Sequence, residues 1–245
     1  PRFAFEKFPG TDRTLTTSMK SVGEAMAMGR SFSESLQKAL RSLETGLTGL
    51  NEMAPPKDDS ADDDITAMEI ALATPTPERL LLVAQAFRLG ISMATIQRIT
   101  NIDPWFLRQI RGIVATEAHV REHGLPTDSY GLLELKKAGF SDARLAELTG
   151  KTPAEVTAAR HKLGVRPVYK RVDTCAAEFE AMTPYYYSTY EKPTLNILEK
   201  SPLGGAASPP KKIIILGGGP NRIGQGIEFD TCCVHAVFAL KEAGF

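Results

Sequence analysis

Apolar residues recur along this chain at two spacings, and the spacings divide it. Met19, Val22 and Met26 fall three and four apart behind the capping candidates Thr16 and Thr17, and Gly29-Arg30 follows, so a helix is predicted over 16–29. A second is predicted over 31–46: Ser31 with Glu34 forms a capping-box pattern, Leu36, Leu40 and Leu43 make one stripe, and Gly46 is the stop. From Thr76 to Gly164 the pattern becomes a series of about six short helices, the mark of a compact all-α domain. Pro77 opens one that Gly90 ends, and Asp103-Pro104 opens another carrying Trp105, Phe106, Ile110 and Ile113. Thr152-Pro153-Ala154-Glu155 is a capping box for the last. Lys212-Ile213-Ile214-Ile215-Leu216 breaks the pattern: a continuous apolar run reads as a buried strand, followed by a glycine loop and a helix over 227–243.

The stretches between these elements read as junctions. Residues 51–77 hold Pro55-Pro56, the aspartates Asp58, Asp59, Asp62, Asp63 and Asp64, then Pro75 and Pro77, which suits a linker with a solvated acidic run. The run lacks the glycine and terminal Glu of a calcium loop. Residues 193–211, rich in Pro, Gly and Ala, read as an interdomain linker. A buried strand of the 212–216 type needs parallel neighbours, and a strand–loop–helix unit needs a strand to return to. None follows, and there is no initiator Met, so the expectation is a segment of a longer chain in which residues from about 206 open an α/β domain.

Composition narrows the chemistry. The 245 residues suit one or two domains, and 29 Lys and Arg balance 29 Asp and Glu, so no global field draws the chain to nucleic acid or to an anionic membrane. No apolar stretch is long enough to span a bilayer, and the first residues lack the pattern of a signal peptide. Cys175, Cys232 and Cys233 make neither a disulfide framework nor a four-ligand zinc site; they read as small buried residues in a reducing cytoplasm. His119 and His123 have a zinc-compatible spacing without the Glu after the first His, and read as an exposed pair on a polar face.

The sharpest local feature is the loop Gly217-Gly218-Gly219-Pro220-Asn221-Arg222-Ile223-Gly224-Gln225-Gly226, set between strand and helix. Such glycines let backbone amides approach an anion at a helix N-terminus, Arg222 adds a fixed positive charge and Glu228 a carboxylate. It is not a dinucleotide fingerprint, because Arg222 or Phe229 stands where the third glycine belongs. Nor is it a P-loop, because Gln225 and Gly226 stand where Lys and Ser or Thr belong. A tight turn without a ligand remains the alternative. Residues 141–164 also have the outline of a helix-turn-helix, with Arg160, His161 and Lys162 on its second helix. Seven Lys and Arg against five Asp and Glu over 127–166 leave no basic face, so nucleic-acid binding is not expected.

Four strings, in order, resemble one family. They are Leu15 to Arg30 with Val22-Gly23-Glu24 at its centre, Ser35 to Arg41, Val168 to Phe179 with Lys170-Arg171-Val172-Asp173-Thr174-Cys175, and Gly217 to Asp230. Together they resemble the large chain of glutamine-dependent carbamoyl phosphate synthetases. The resemblance implies a mixed fold: an all-α helical oligomerisation domain flanked by the end of one ATP-grasp half and the start of a second. It places 1–48 in the tail of the first, carboxyphosphate half, 49–205 in the helical domain with its C-terminal linker, and 206–245 in a truncated α/β unit opening the second half. It implies a parent ligase that makes carbamoyl phosphate from bicarbonate, glutamine-derived ammonia and two ATP for arginine and pyrimidine synthesis. Mg2+ or Mn2+, a glutaminase subunit or domain, and self-association through the helical domain are implied as well. By resemblance, Gly217, Gly218, Gly219, Arg222, Gly224, Gln225, Gly226 and Glu228 border the passage along which carbamate travels, and Glu24 lies near the passage of the first half. ATP-binding, metal-binding and catalytic residues fall outside this chain. Thr231 stands where the family pattern leads one to expect Tyr.

Overall fold

A computed structural model describes residues 1–54, 56, 60–183, 185–191, 212–216 and 227–245. Within them lie helices α1 (Phe32–Ser42), α2 (Asp64–Ala73), α3 (Arg79–Arg88), α4 (Met93–Thr100), α5 (Pro104–His123), α6 (Ser129–Lys137), α7 (Asp142–Thr149), α8 (Pro153–Lys162) and α9 (Ile227–Glu242). One antiparallel pair, β1 (Val168–Arg171) and β2 (Tyr186–Thr189), joins them. The fold is mostly helical with this small sheet. Local chemistry sets the starts: Ser31, Asp63, Ser92, Asp103, Asp128, Ser141 and Thr152 each accept a hydrogen bond from a first-turn backbone N–H. Each such cap contributes about 1 kcal/mol. Asn101 and Gly150 close α4 and α7 in the left-handed region, at φ 55° and 64°.

The 20-residue α5 is the axis; α1, α3, α4 and α7 pack around it, α8 packs on α7, and α2 lies on α3 and α4. Leu107, Ile110, Ile113 and Val120 of α5 are buried against Met68 and Leu72 of α2, Val83 of α3, Ile96 of α4 and Leu145 of α7 within one core. The six helices α3 to α8 answer the expectation for residues 76–164. Leu40 of α1 and Leu50 beyond it join the same core.

Several expectations are corrected. No helix forms over 16–29. Residues 22–30 instead alternate, with Val22, Glu24, Met26, Met28 and Arg30 exposed and their odd-numbered neighbours partly covered. Val22 and Met26, four apart, fit a period of two as well as a helical one, and the N–H of Arg2 bonding the carbonyl of Gly23 at 2.8 Å draws the backbone into a bridge. The junction 51–77 contains α2, because Asp63 of the acidic run caps it, accepting from Thr66 N–H at 2.7 Å. Among the described residues 212–216 form no strand: no described segment pairs with them, and Ile214 and Leu216 are exposed. The hairpin β1–β2, with Val168 opposite Thr189 and Arg171 opposite Tyr186, comes from segments that sequence pattern left unassigned. None of the cysteines is buried: Cys232 is exposed, Cys175 and Cys233 half-buried. Cys175 sits in a turn where Asp173 accepts its N–H at 2.9 Å, and Cys232 rides on α9, whose Val234, Val237 and Phe238 are also exposed. The helix over 227–243 forms as α9. The linker 193–211 lies outside the described residues.

Candidate functional site

Of the residues that the resemblance places along a passage, Glu24 is the one whose side chain is described. It stands exposed on the extended segment 22–30, which is held at both ends. At one end Arg2 N–H donates to Gly23 O and Val22 N–H to Arg2 O, at 2.8 and 2.9 Å. At the other end Lys38 Nζ donates to Met28 O at 2.8 Å and Arg30 N–H donates to Glu34 Oε2 at 2.6 Å. The capping box expected at Ser31 is therefore half made. Ser31 Oγ accepts from Glu34 N–H at 3.2 Å, but the Glu34 carboxylate reaches past the cap to the residue before it.

That carboxylate, 1% exposed, is a junction of three segments. Besides Arg30 it accepts from Thr189 Oγ1 of β2 at 3.1 Å, and Lys38 Nζ lies 2.7 Å from its other oxygen while also bonding Ser188 O. Gly139, at φ +94° in the α6–α7 turn, seats against the Glu34 backbone so closely that a Cβ there would fall 2.7 Å from Glu34 Cα. Arg30 Nε donates to Glu191 at 2.6 Å, and Lys170 of β1 pairs with the same carboxylate.

Two charge clusters lie inside the helical body. Arg144, 1% exposed, donates from Nε to Glu117 at 2.8 Å and from both terminal nitrogens to Glu52 at 2.8 and 2.9 Å, with Glu147 at 3.0 Å. Arg88 Nη2 donates to the other oxygen of Glu117 at 2.6 Å and also bonds Leu50 O, tying residues 50–52 to α3, α5 and α7. Glu117, 0% exposed, is the member both arginines share, so removing it would take from Arg88 and Arg144 the buried carboxylate that joins them. In the second cluster Asp142 accepts from Lys136 at 2.8 Å, Thr157 at 2.8 Å and Arg160 at 3.0 Å. Burial pushes its carboxyl up, but the hydrogen bond and charge of Lys136, with Arg160 and Thr157, outweigh that and hold it at about 2. Sequence reading missed both clusters, although Glu117 falls in the stripe Ile110, Ile113, Val120 where a charge needs a partner.

A cavity of about 1050 Å³ forms an apolar cleft between the chain start and the helices, lined by Phe3, Phe5, Leu36, Leu43 and Leu80 and bordered by the Arg13–Glu78 ion pair. Among the described residues no three His, Cys, Asp or Glu side chains converge as a metal site. His119 and His123 stack on the exposed face of α5, centroids 4.2 Å apart. On α8, Arg160 turns inward to Asp142, leaving His161 and Lys162 as the exposed members of that trio. Gly217, Gly218, Gly219, Arg222, Gly224, Gln225 and Gly226 lie outside the described residues, and Glu228 falls in the first turn of α9. None of the helices among the described residues is long and apolar enough to cross a membrane.

Residues 24–164 match the family described as carbamoyl-phosphate synthetase large chain, oligomerisation domain, and residues 209–245 match the carbamoyl phosphate synthase preATP-grasp domain. The whole chain is 62% identical to the carbamoyl phosphate synthase large chain of Rhizobium meliloti (strain 1021), covering 21% of that protein. It is 59% identical to that of Mesorhizobium japonicum, covering 21%, and 56% identical to that of Xanthomonas axonopodis pv. citri, covering 22%. The chain thus spans about a fifth of the length of the curated relatives it matches. The match of 24–164 begins at Glu24 and takes in α1 to α8, the same residues that share one core. The chain belongs to the carbamoyl phosphate synthase large-chain family and carries the oligomerisation domain of that family.

Proposed function

We propose that this chain supplies the helical assembly domain, and part of the passage for a labile intermediate, in a ligase that makes carbamoyl phosphate from bicarbonate, glutamine-derived ammonia and two ATP. The observation that carries this reading is the 62% identity that runs over every residue of the chain to a carbamoyl phosphate synthase large chain. On this reading 1–48 close the carboxyphosphate half, 49–205 form the helical domain with its linker, and 206–245 open the carbamoyl phosphate half. The parent works in the cytoplasm with a glutaminase subunit or domain and self-associates through the helical domain. Glu24 and Glu228 accept hydrogen bonds along the passage, and Gly226 keeps it open beside Gly217, Gly218, Gly219, Arg222, Gly224 and Gln225. Enclosure keeps bulk water from carbamate and carboxyphosphate.

The described residues do not fit ATP with Mg2+ or Mn2+: they bring together no acidic or histidine cluster to hold the metal, and phosphoryl transfer needs metal and cations around the phosphates. No step of the reaction is assigned to them. The full-length parent is expected to form carbamoyl phosphate from bicarbonate, glutamine and ATP, and the 245-residue chain to form none above a no-enzyme control. ATP-dependent product from the chain alone would overturn the assignment of catalysis to residues elsewhere. An inactive full-length parent would overturn the reaction itself.

A further inference from the structure

The segment that carries Glu24 makes no regular element of its own, yet it is strapped down at two places. The Arg2–Gly23 bridge fixes its start, and the Glu34 carboxylate with Lys38 fixes Met28 to Arg30. Four residues, 24–27, lie between the two fixed points, so the direction in which Glu24 points depends on where those points are. The second point belongs to the helical body. Glu34 opens α1, is 1% exposed, and is gripped from two further sides by Thr189 of the hairpin and by the close approach of Gly139 in the α6–α7 turn. Gly29 lies against it as well: a Cβ there would come within 2.9 Å of the carboxylate. A plain helix cap needs none of this. Ser31 already caps α1, and the Glu34 side chain is spent instead on a neighbouring segment.

We propose that Glu34 is a positioning residue, a clasp whose buried carboxylate holds the segment 22–30 in place on the helical body so that Glu24 is presented at a fixed point. The proposal rests on the reading of Glu24 as a passage residue. It ties the assembly domain to the passage through one residue: a displacement of the α6–α7 turn shifts the Glu34 backbone, a displacement of the β1–β2 hairpin shifts its carboxylate, and the carboxylate moves the segment.

The test uses the full-length parent with Glu34→Ala, with Glu34→Gln, which keeps the shape and an acceptor, and with Glu24→Gln. Two quantities are read: amide hydrogen exchange of the peptide ending at Arg30, with peptides from α3 to α8 as the internal reference, and ATP consumed per carbamoyl phosphate formed. Glu34→Ala is expected to speed exchange in the 24–30 peptide about tenfold, the scale of one lost charge-assisted hydrogen bond, with α3 to α8 unchanged. It is also expected to raise the ATP cost of each product, and Glu34→Gln to fall between it and the parent in both readouts. Unchanged exchange at 24–30, or loss of protection throughout α3 to α8 in both Glu34 variants, overturns the clasp. A raised ATP cost in Glu24→Gln but not in Glu34→Ala overturns the positioning role and leaves the passage reading standing. No change in either overturns the passage reading, and the positioning role with it.

Discussion

Asp142 is held ionised by its neighbours, and the consequence can be measured. Its carboxyl titrates at about 2, below the ordinary 3.8 of an aspartate, because Lys136, Arg160 and Thr157 all donate to it against the upward push of burial. A depressed folded-state value means that the stabilisation is fully present above the unfolded value and is lost as pH falls through the folded one. The window is therefore pH 4 down to 2. Asp142→Asn is expected to lower the thermal midpoint at pH 7, and its deficit relative to the unaltered chain should shrink as pH falls across that window. Midpoints followed by circular dichroism along a pH series check this. A deficit constant from pH 7 to pH 2 would mean that Asp142 contributes shape rather than charge. Arg144 and Glu117 make the complementary point: both are buried within a core of apolar side chains and are tolerable there because they pair with each other and with Arg88, Glu52 and Glu147.

At the scale of elements, the turns decide how closely the helices approach. Gly90 and Gly139 both hold positive φ, at 81° and 94°, but a Cβ at Gly90 would meet open space whereas one at Gly139 would strike the backbone of Glu34. Gly90→Ala should lose about 1–2 kcal/mol for the backbone conformation alone. Gly139→Ala should lose roughly 1–3 kcal/mol more, because α1 must move away. Urea denaturation of the two variants side by side measures the difference, and equal losses would show that α1 does not need the contact. Such close approaches were not legible in the sequence, which displays local chemistry. Ser31, Asp103 and Thr152 announced their helices because a cap and its N–H donors are neighbours in the chain. Asp63 was legible in kind but was hidden inside an acidic run that suited solvent equally well. Val22 and Met26 misled because, four apart, they fit both periods, and the Arg2–Gly23 bridge that decides between them comes from twenty residues away. The hairpin β1–β2 was illegible for a related reason: its strands are short, and fourteen residues separate Arg171 from Tyr186. Glu34 was read as a cap partner. Besides Arg30 and Lys38 it meets Thr189 and the Gly139 turn, which lie more than a hundred residues away.

For the whole molecule, one core runs from α1 to α8, and buried charge pairs staple residues 50–52 to three of its helices. A body built this way moves as a unit, which suits a part that must hold other parts in register. On the proposed reading those parts are two halves of a ligase, and the intermediate passing between them must not meet water. The most direct test is Gly226→Phe in the full-length parent, with ATP consumption and carbamoyl phosphate formation measured in the same reaction. Blocking the passage should leave bicarbonate-dependent ATP turnover running while carbamoyl phosphate falls by an order of magnitude or more, about 1.4 kcal/mol for each factor of ten. Carbamoyl phosphate formed at the unaltered rate and at the unaltered ATP cost would contradict the assignment of this loop to the passage.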